Sequence, residues 1–373
     1  MTIAAHKAPR KIFVLAGEAS GDALGAWYVM QRRRREPHTI ASHPRAAGIQ
    51  FDGIGGPLMT KAGVKLERSY ADLQVVGILE IIRHLRRLLR LQREVVQTIL
   101  DGQYDEVVLI DFPGFNLRVL RDLKKKMPNL NVTFLSPPQL WVWGAWRVKK
   151  VALADTVIVL YPFEVEWYKK RGVNAEWWGS PVVQRLQKVM TAVPQKKEKM
   201  IAVLPGSRPQ ELKQLMRYYA PALRVLSHDD PAMTIVFLLA PSLTIEDVRD
   251  SLKPYMLGSW GCQVRFVIDE REKYRVMAHC LCALTKPGTN TLELALLGVP
   301  AVVVYKTSWL TYWLARLVVK VPSMTLPNLL SGKQMYAELL QGACTPEAIV
   351  AQLRALVAEY QEKQQVYAAR CHA

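Results

Sequence analysis

Lys11-Ile12-Phe13-Val14-Leu15-Ala16, followed at once by Gly17-Glu18-Ala19-Ser20-Gly21-Asp22, sets the architecture. A short apolar run that stops at a small-residue turn predicts a buried strand, and the stretch Ala23 to Arg34 behind it predicts a helix. Small residues at such a turn let backbone approach a ligand, and the new helix end offers unpaired N–H groups to an anion. Gly17, Ser20, Gly21 and Asp22 are therefore candidate substrate contacts, although close packing explains the same residues without a ligand. The spacing is not the dinucleotide fingerprint, and there is no Walker phosphate loop.

The same rhythm repeats outward. Apolar runs at Val107 to Ile110, Asn131 to Leu135, Thr156 to Leu160, Met200 to Leu204, Thr234 to Leu239, Val264 to Ile268 and Val299 to Tyr305 alternate with longer helical stretches. That alternation predicts an α/β protein with parallel sheets and crossover helices. The strands fall into two groups on either side of Gly179 to Lys199, a polar segment with Pro181, Pro194 and a lysine-rich end, which reads as an interdomain linker. The expected fold is two doubly wound Rossmann-like domains with a ligand cleft between them, residues 1–180 and 181–345, followed by a C-terminal helix, 346–373. In such folds ligands bind at the carboxyl ends of the strands.

Composition agrees with two globular domains: the chain has 373 residues, half of them apolar, more than one ordinary core supports. The N-terminus lacks the apolar centre of a secretory signal, and no run of about 18 apolar residues occurs, so a cytoplasmic location is expected. Five scattered cysteines make no disulfide framework. Cys280 and Cys282 beside His279 look like part of a buried strand, and without a second cluster no metal site is expected. The formal charge of +18 calls for an anionic partner, whether membrane, nucleic acid or phosphorylated substrate.

Three further turns carry chemistry. Asp111 ends the run Leu109-Ile110 and precedes Phe112-Pro113-Gly114-Phe115-Asn116, where a carboxylate can take a proton from a hydroxyl or simply form the turn. In Leu204-Pro205-Gly206-Ser207-Arg208 a glycine, a hydroxyl, a helix start and a guanidinium converge, a combination suited to phosphate: Gly206, Ser207 and Arg208 are candidates. In Lys286-Pro287-Gly288-Thr289-Asn290-Thr291-Leu292-Glu293, Gly288 opens the turn and Thr289 can cap the next helix. Glu293, one turn in, either accepts the hydroxyls of a ribose or favours the helix dipole.

Two stretches suggest a lipid surface. Ile78, Ile81, Ile82, Leu85, Leu88, Leu89, Val95, Val96 and Ile99 recur at helical spacing, with Arg83, Arg86, Arg87, Arg90 and Arg93 on other faces. Trp309, Tyr312, Trp313 and Leu317 accompany Arg316 and Lys320. Either stretch alone is explained by a core helix; both together on a basic chain favour a membrane interface. The arginines alternate with leucines instead of forming an aromatic stacking platform, so nucleic acid is not the expected partner.

The turns together have a family likeness. Gly17 to Asp22, Gly53-Ile54-Gly55-Gly56-Pro57, Ile110-Asp111 with Pro113 and Phe115-Asn116, Trp141-Val142-Trp143, Leu204 to Arg208 and Leu326-Pro327-Asn328-Leu329-Leu330 resemble, in order, the motifs of lipid-A-disaccharide synthases over nearly the whole chain. The resemblance implies a glycosyltransferase-B fold with an acceptor-side first domain and a UDP-binding second domain. It also implies an inverting, cofactor-free and metal-independent transfer from a UDP-diacylglucosamine donor to an acylated glucosamine 1-phosphate acceptor. By the same resemblance Asp111 is the candidate base, Arg208, Glu293 and Asn328 belong to the UDP side, and the C-terminal helix packs away from the preceding domain. Peripheral association with an anionic inner-membrane surface is implied too, and a homo-oligomer is left open. Gly114 stands where the family often carries a second acid. The competing readings are another UDP-sugar enzyme of the same fold, such as an epimerase, and a basic nucleic-acid-binding protein.

Overall fold

The computed structural model describes residues 9–35, 48–73, 78–190, 197–255, 259–309, 312–313 and 321–371. The chain divides into two compact units, Met1–Pro181 and Val182–Ala373.

Unit 1 is built on seven parallel strands: β1 Arg10–Ala16, β2 Ile49–Gly55, β3 Lys65–Ser69, β4 Glu106–Ile110, β5 Asn131–Leu135, β6 Thr156–Val159 and β7 Ala175–Trp177, in the spatial order β3-β2-β1-β4-β5-β6-β7. Side chains alternate across the sheet. Ile12, Val14 and Ala16 pack with Trp27 and Tyr28 of the helix Ala19–Arg35, whereas Phe13 and Leu15 pack on the other face with Val95, Val96 and Ile99 of the helix Ile78–Asp101. Burial on both faces explains why the central strands read as continuous apolar runs.

Unit 2 has six parallel strands, β8 Met200–Leu204, β9 Thr234–Leu238, β10 Gln263–Val267, β11 Cys282–Thr285, β12 Ala301–Tyr305 and β13 Ala337–Leu340, in the order β10-β9-β8-β11-β12-β13. Each sheet reverses its winding once, at β1/β4 in unit 1 and at β8/β11 in unit 2. Such switch points leave a crevice beyond the strands' carboxyl ends.

The eight apolar runs expected as strands are present within a residue or two; of the run at His279 to Cys282, however, His279 ends the helix Glu270–His279 and β11 begins only at Cys282. The expected linker is not linker throughout: Pro181–Met190 is helical, with Leu186 buried in the unit 2 core, and residues 191–196 lie outside those described. The first helix begins at Ala19, not Ala23, because Gly21 lets the helix start flush against Ala16. The C-terminal helix, Pro346–Cys371, lies against unit 2 in its described part: Ile349, Val350 and Leu353 enter that core, and Arg354 pairs with Asp229 at 2.8 Å. An apolar stripe at this spacing holds the helix on the preceding domain, contrary to the packing away that the resemblance implied. Among the described residues no helix is long and apolar enough to cross a membrane.

Candidate functional site

In unit 1, β1 and β4 are neighbours in register, Ala16 opposite Ile110, so the Gly17 and Asp111 turns leave the same edge side by side. Both Asp111 and Phe112 have left-handed backbones, φ 46° and 43°. Each costs a non-glycine residue about 1–2 kcal/mol, and the surroundings hold them there. Asn116 Nδ2 donates to the carbonyls of Ile110 and Asp111, 2.9 Å each, and Phe115 N and Asn116 N donate to the carbonyl of Phe112. The Phe112 ring occupies the space a side chain on Gly17 would need: a Cβ there would lie 2.5 Å from Phe112 Cδ1. Gly17 is thus required by packing, so that the strained turn fits, and its close approach is to a ring of this chain.

The carboxyl of Asp111 is held above the usual aspartate range. Burial is the main cause and the negative charge of Glu18 adds to it, while the backbone N–H of Phe112 pulls the other way. Glu18 went unmarked in the sequence, yet strand order puts it beside Asp111, and the Ser20 hydroxyl donates to it. Replacing Glu18 by Gln removes that charge, so the Asp111 carboxyl is expected to titrate at lower pH. Carbon-detected NMR titration measures this directly, and an unmoved midpoint would remove Glu18 from the Asp111 environment.

Asp22 is engaged within unit 1. Its buried carboxylate accepts from Gly56 N at 2.8 Å, Met59 N at 3.0 Å and Leu58 N at 3.0 Å, capping the short helix Pro57–Lys61. That link ties Gly17–Asp22 to Gly56 and the helix start that follow β2.

In unit 2, Leu204 at the end of β8 lies opposite Thr285 of β11, and the two candidate turns emerge together. Gly206 has φ +122°, and a side chain there would meet Glu211 Oε2 at 2.9 Å, so this position needs glycine. Ser242 Oγ donates to the carbonyl of Ser207 at 2.5 Å. Arg208 immediately precedes the helix Pro209–Asp229 and is 78% exposed, with Nη1 3.2 Å from Glu211 Oε1. Glu211 Oε2 accepts from Lys286 Nζ at 2.9 Å, which joins the two turns. Burial works against the Glu211 carboxylate, but Lys286 and Arg208 outweigh it and hold its pKa below the usual value. The result is two cations, an exposed helix start and a glycine loop on one edge, suited to a diphosphate.

The helix that follows β11, Thr289–Leu296, has Gly288 at its N-cap position; Thr289 is its exposed first residue, and the Thr291 hydroxyl donates back to Gly288 O at 2.7 Å. The expected Thr289 cap is thus absent, because Gly288 holds the N-cap position and Thr289 is already the first residue of the helix. Glu293 is 2% exposed and accepts from the Tyr274 hydroxyl at 3.0 Å. Asn328, also buried, spends its amide inside unit 2: Nδ2 donates to Tyr336 O and Glu338 Oε1, and Oδ1 accepts from Tyr336 N. It knits the Leu326–Ser331 helix to β13, and its place on the UDP side is carried by family resemblance alone.

The family model for lipid-A-disaccharide synthetase matches residues 12–372. The chain belongs to the lipid-A-disaccharide synthetase family. Lipid-A-disaccharide synthases are similar to it over most of both chains: that of Myxococcus xanthus is 33% identical over 93% of this chain and 88% of its own, and that of Granulibacter bethesdensis 35% over 93% and 86%. Among solved structures, a UDP-GlcNAc 2-epimerase from Neisseria meningitidis bound to UDP-GlcNAc has a TM-score of 0.60 at 12% identity, covering 94% of this chain and 92% of its own. MurG of Acinetobacter baumannii has 0.55 at 15% identity, covering 93% and 91%. At those identities the likeness is one of fold, the glycosyltransferase-B arrangement of two parallel-sheet units.

Within this chain, topology thus gathers the sequence candidates into two clusters. Gly17, Ser20, Gly21 and Asp111 meet at the unit 1 switch point; Gly206, Ser207, Arg208, Gly288 and Thr289 meet at that of unit 2. Asp22 and Asn328 are structural in this geometry, and Glu18, Glu211 and Lys286 are the additions. The tryptophan pair after β5 is also placed: Trp141 Nε1 donates to Glu164 Oε1 at 2.8 Å, and Trp143 meets Trp146 edge-on at 5.3 Å.

Proposed function

We propose that this enzyme joins UDP-2,3-diacylglucosamine to 2,3-diacylglucosamine 1-phosphate, giving the β-1,6-linked disaccharide 1-phosphate and UDP. The observation that carries the reading is the family match across residues 12–372, which takes in both switch-point clusters. Asp111 accepts the proton of the acceptor's 6-hydroxyl, whose oxygen attacks the donor's anomeric carbon from the face opposite the diphosphate. As that bond forms, the bond from the anomeric carbon to the phosphate oxygen breaks, its electron pair leaves with UDP, and the configuration inverts. Burial keeps Asp111 a stronger base than an exposed aspartate once it is ionised. Arg208, Lys286 and the start of the Pro209–Asp229 helix receive the charge that builds on the departing diphosphate, and Glu293 accepts from the ribose. Release of UDP, measured with each acylated sugar alone and then with both, tests the reading. Dependence on both lipids supports it; turnover of the UDP-sugar without an acceptor favours an epimerase.

The substrates are lipids, and the helix Ile78–Asp101 offers a basic surface for the membrane that holds them. Val95, Val96 and Ile99 are core residues, while Arg87, Arg90 and Arg93 are exposed; the side chains of Arg83 and Arg86 lie outside those described. Trp309 and Trp313 are exposed in unit 2, and residues 314–320, with Arg316, Leu317 and Lys320, also lie outside. Each cation near an anionic surface is worth about 1 kcal/mol. Changing Arg87, Arg90 and Arg93 to Gln is thus expected to weaken sedimentation with phosphatidylglycerol vesicles roughly a hundredfold at low salt. Equal binding of the parent to neutral and anionic vesicles would end the electrostatic reading.

A further inference from the structure

Tyr274, which no sequence pattern marks, is held between Arg185 and Glu293. Arg185 Nη1 donates to Tyr274 Oη at 3.3 Å, and Tyr274 Oη donates to Glu293 Oε1 at 3.0 Å. A phenol has one proton and a guanidinium accepts none, so the Tyr274 proton is directed at Oε1. Arg185 Nη1 also lies 3.7 Å from that oxygen. The other carboxylate oxygen is in a different state. Oε2 is buried and receives no hydrogen bond among the described residues; Lys273 Nζ stands 3.9 Å away and donates to Asn290 Oδ1 at 3.3 Å. A buried ionisable oxygen with no donor is uncommon enough to require a reason, and here it stands one turn inside a helix that starts at the unit 2 switch point.

We propose that Tyr274 is a positioning and specificity-determining residue: by committing Glu293 Oε1, it reserves Oε2 for the hydroxyls of the donor's ribose. The proposal rests on the reading of Glu293 as the ribose acceptor. Arg185 acts one step further out, fixing the phenol rotor so that the carboxylate cannot turn its free oxygen away. Recognition of the sugar then depends on a side chain that never touches it.

Calorimetry with UDP and 2′,3′-dideoxy-UDP, which lacks both ribose hydroxyls, separates this role from a structural one. The parent is expected to prefer UDP by about tenfold or more, the size of a hydrogen bond to a charged group. In Tyr274→Phe the preference is expected to fall to about threefold or less, through loss of UDP affinity alone. A tyrosine that merely supports the fold would weaken both nucleotides alike, and an unchanged preference overturns the proposal. Arg185→Gln keeps the phenol and frees its rotor, so an intermediate preference is expected; if Tyr274→Phe does not fold, an unchanged preference in Arg185→Gln overturns it equally. A parent that does not discriminate, together with Glu293→Gln binding both nucleotides like the parent, would sink the ribose reading itself and the proposal with it.

Discussion

Asp111→Asn is expected to leave a folded protein that binds UDP like the parent and forms disaccharide about a hundredfold to ten-thousandfold more slowly, the usual loss when a general base is removed. Three features make Asn the informative substitution. It keeps the size of the side chain and cannot take a proton. It also tolerates the left-handed backbone at φ 46°, where asparagine is among the few favoured residues; alanine would add strain and confuse the result. The third is electrostatic. Burial and Glu18 hold the folded-state pKa of Asp111 above its unfolded value, so its charged form disfavours the folded state. That penalty is full at pH above the folded pKa and vanishes below the unfolded one. Removing the charge should therefore not lower the melting temperature at neutral pH, and any gain in stability should shrink as the pH falls through that window. Near-parental turnover would place the base elsewhere, and a lower melting temperature at neutral pH would contradict the burial argument.

Arg208→Ala is expected to weaken UDP binding roughly tenfold to a hundredfold, the worth of a charge-assisted contact of about 1.5–3 kcal/mol. Stability should hardly change. Arg208 is 78% exposed and, among the described residues, pairs with Glu211 alone, at 3.2 Å, and exposed ion pairs contribute about 0–1 kcal/mol. The loss of affinity can then be read as a loss of contact. Calorimetry decides it: unchanged UDP affinity would move the diphosphate towards Lys286, for which Lys286→Ala is the matching test. Lys286 differs because it also bridges the two turns through Glu211, so its loss should lower stability as well as affinity.

Several strands were illegible for reasons that can be named. β2 carries two glycines and a buried Asp52, whose carboxylate is met by Gln50 and Tyr104, so it reads as a turn. β3 and β7 lie at sheet edges with exposed residues, and β13, Ala-Glu-Leu-Leu, is made of good helix formers that only tertiary pairing with β12 holds extended. The segment from Gly179 to Lys199 departs from a linker in part because Pro181, which resembles a breaker, stands at the first position of a helix, where its missing N–H costs nothing.

Local composition by itself determined the alternation of buried strands and helices, the family, and the turns worth inspecting, because apolar periodicity and short motifs are written in consecutive residues. Which turns meet was decided by the order of the strands. The reversals at β1/β4 and β8/β11 bring Glu18 to Asp111 and Lys286 to Glu211, pairs separated by 93 and 75 residues in the chain. Tertiary packing likewise turned Asp22 into a cap, 34 residues from Gly56, and Tyr274 into the partner of Glu293, 19 residues away. A buried polar group takes whichever partners the fold delivers, since leaving it unpaired is costly, and those partners come from chain segments that no local reading can connect.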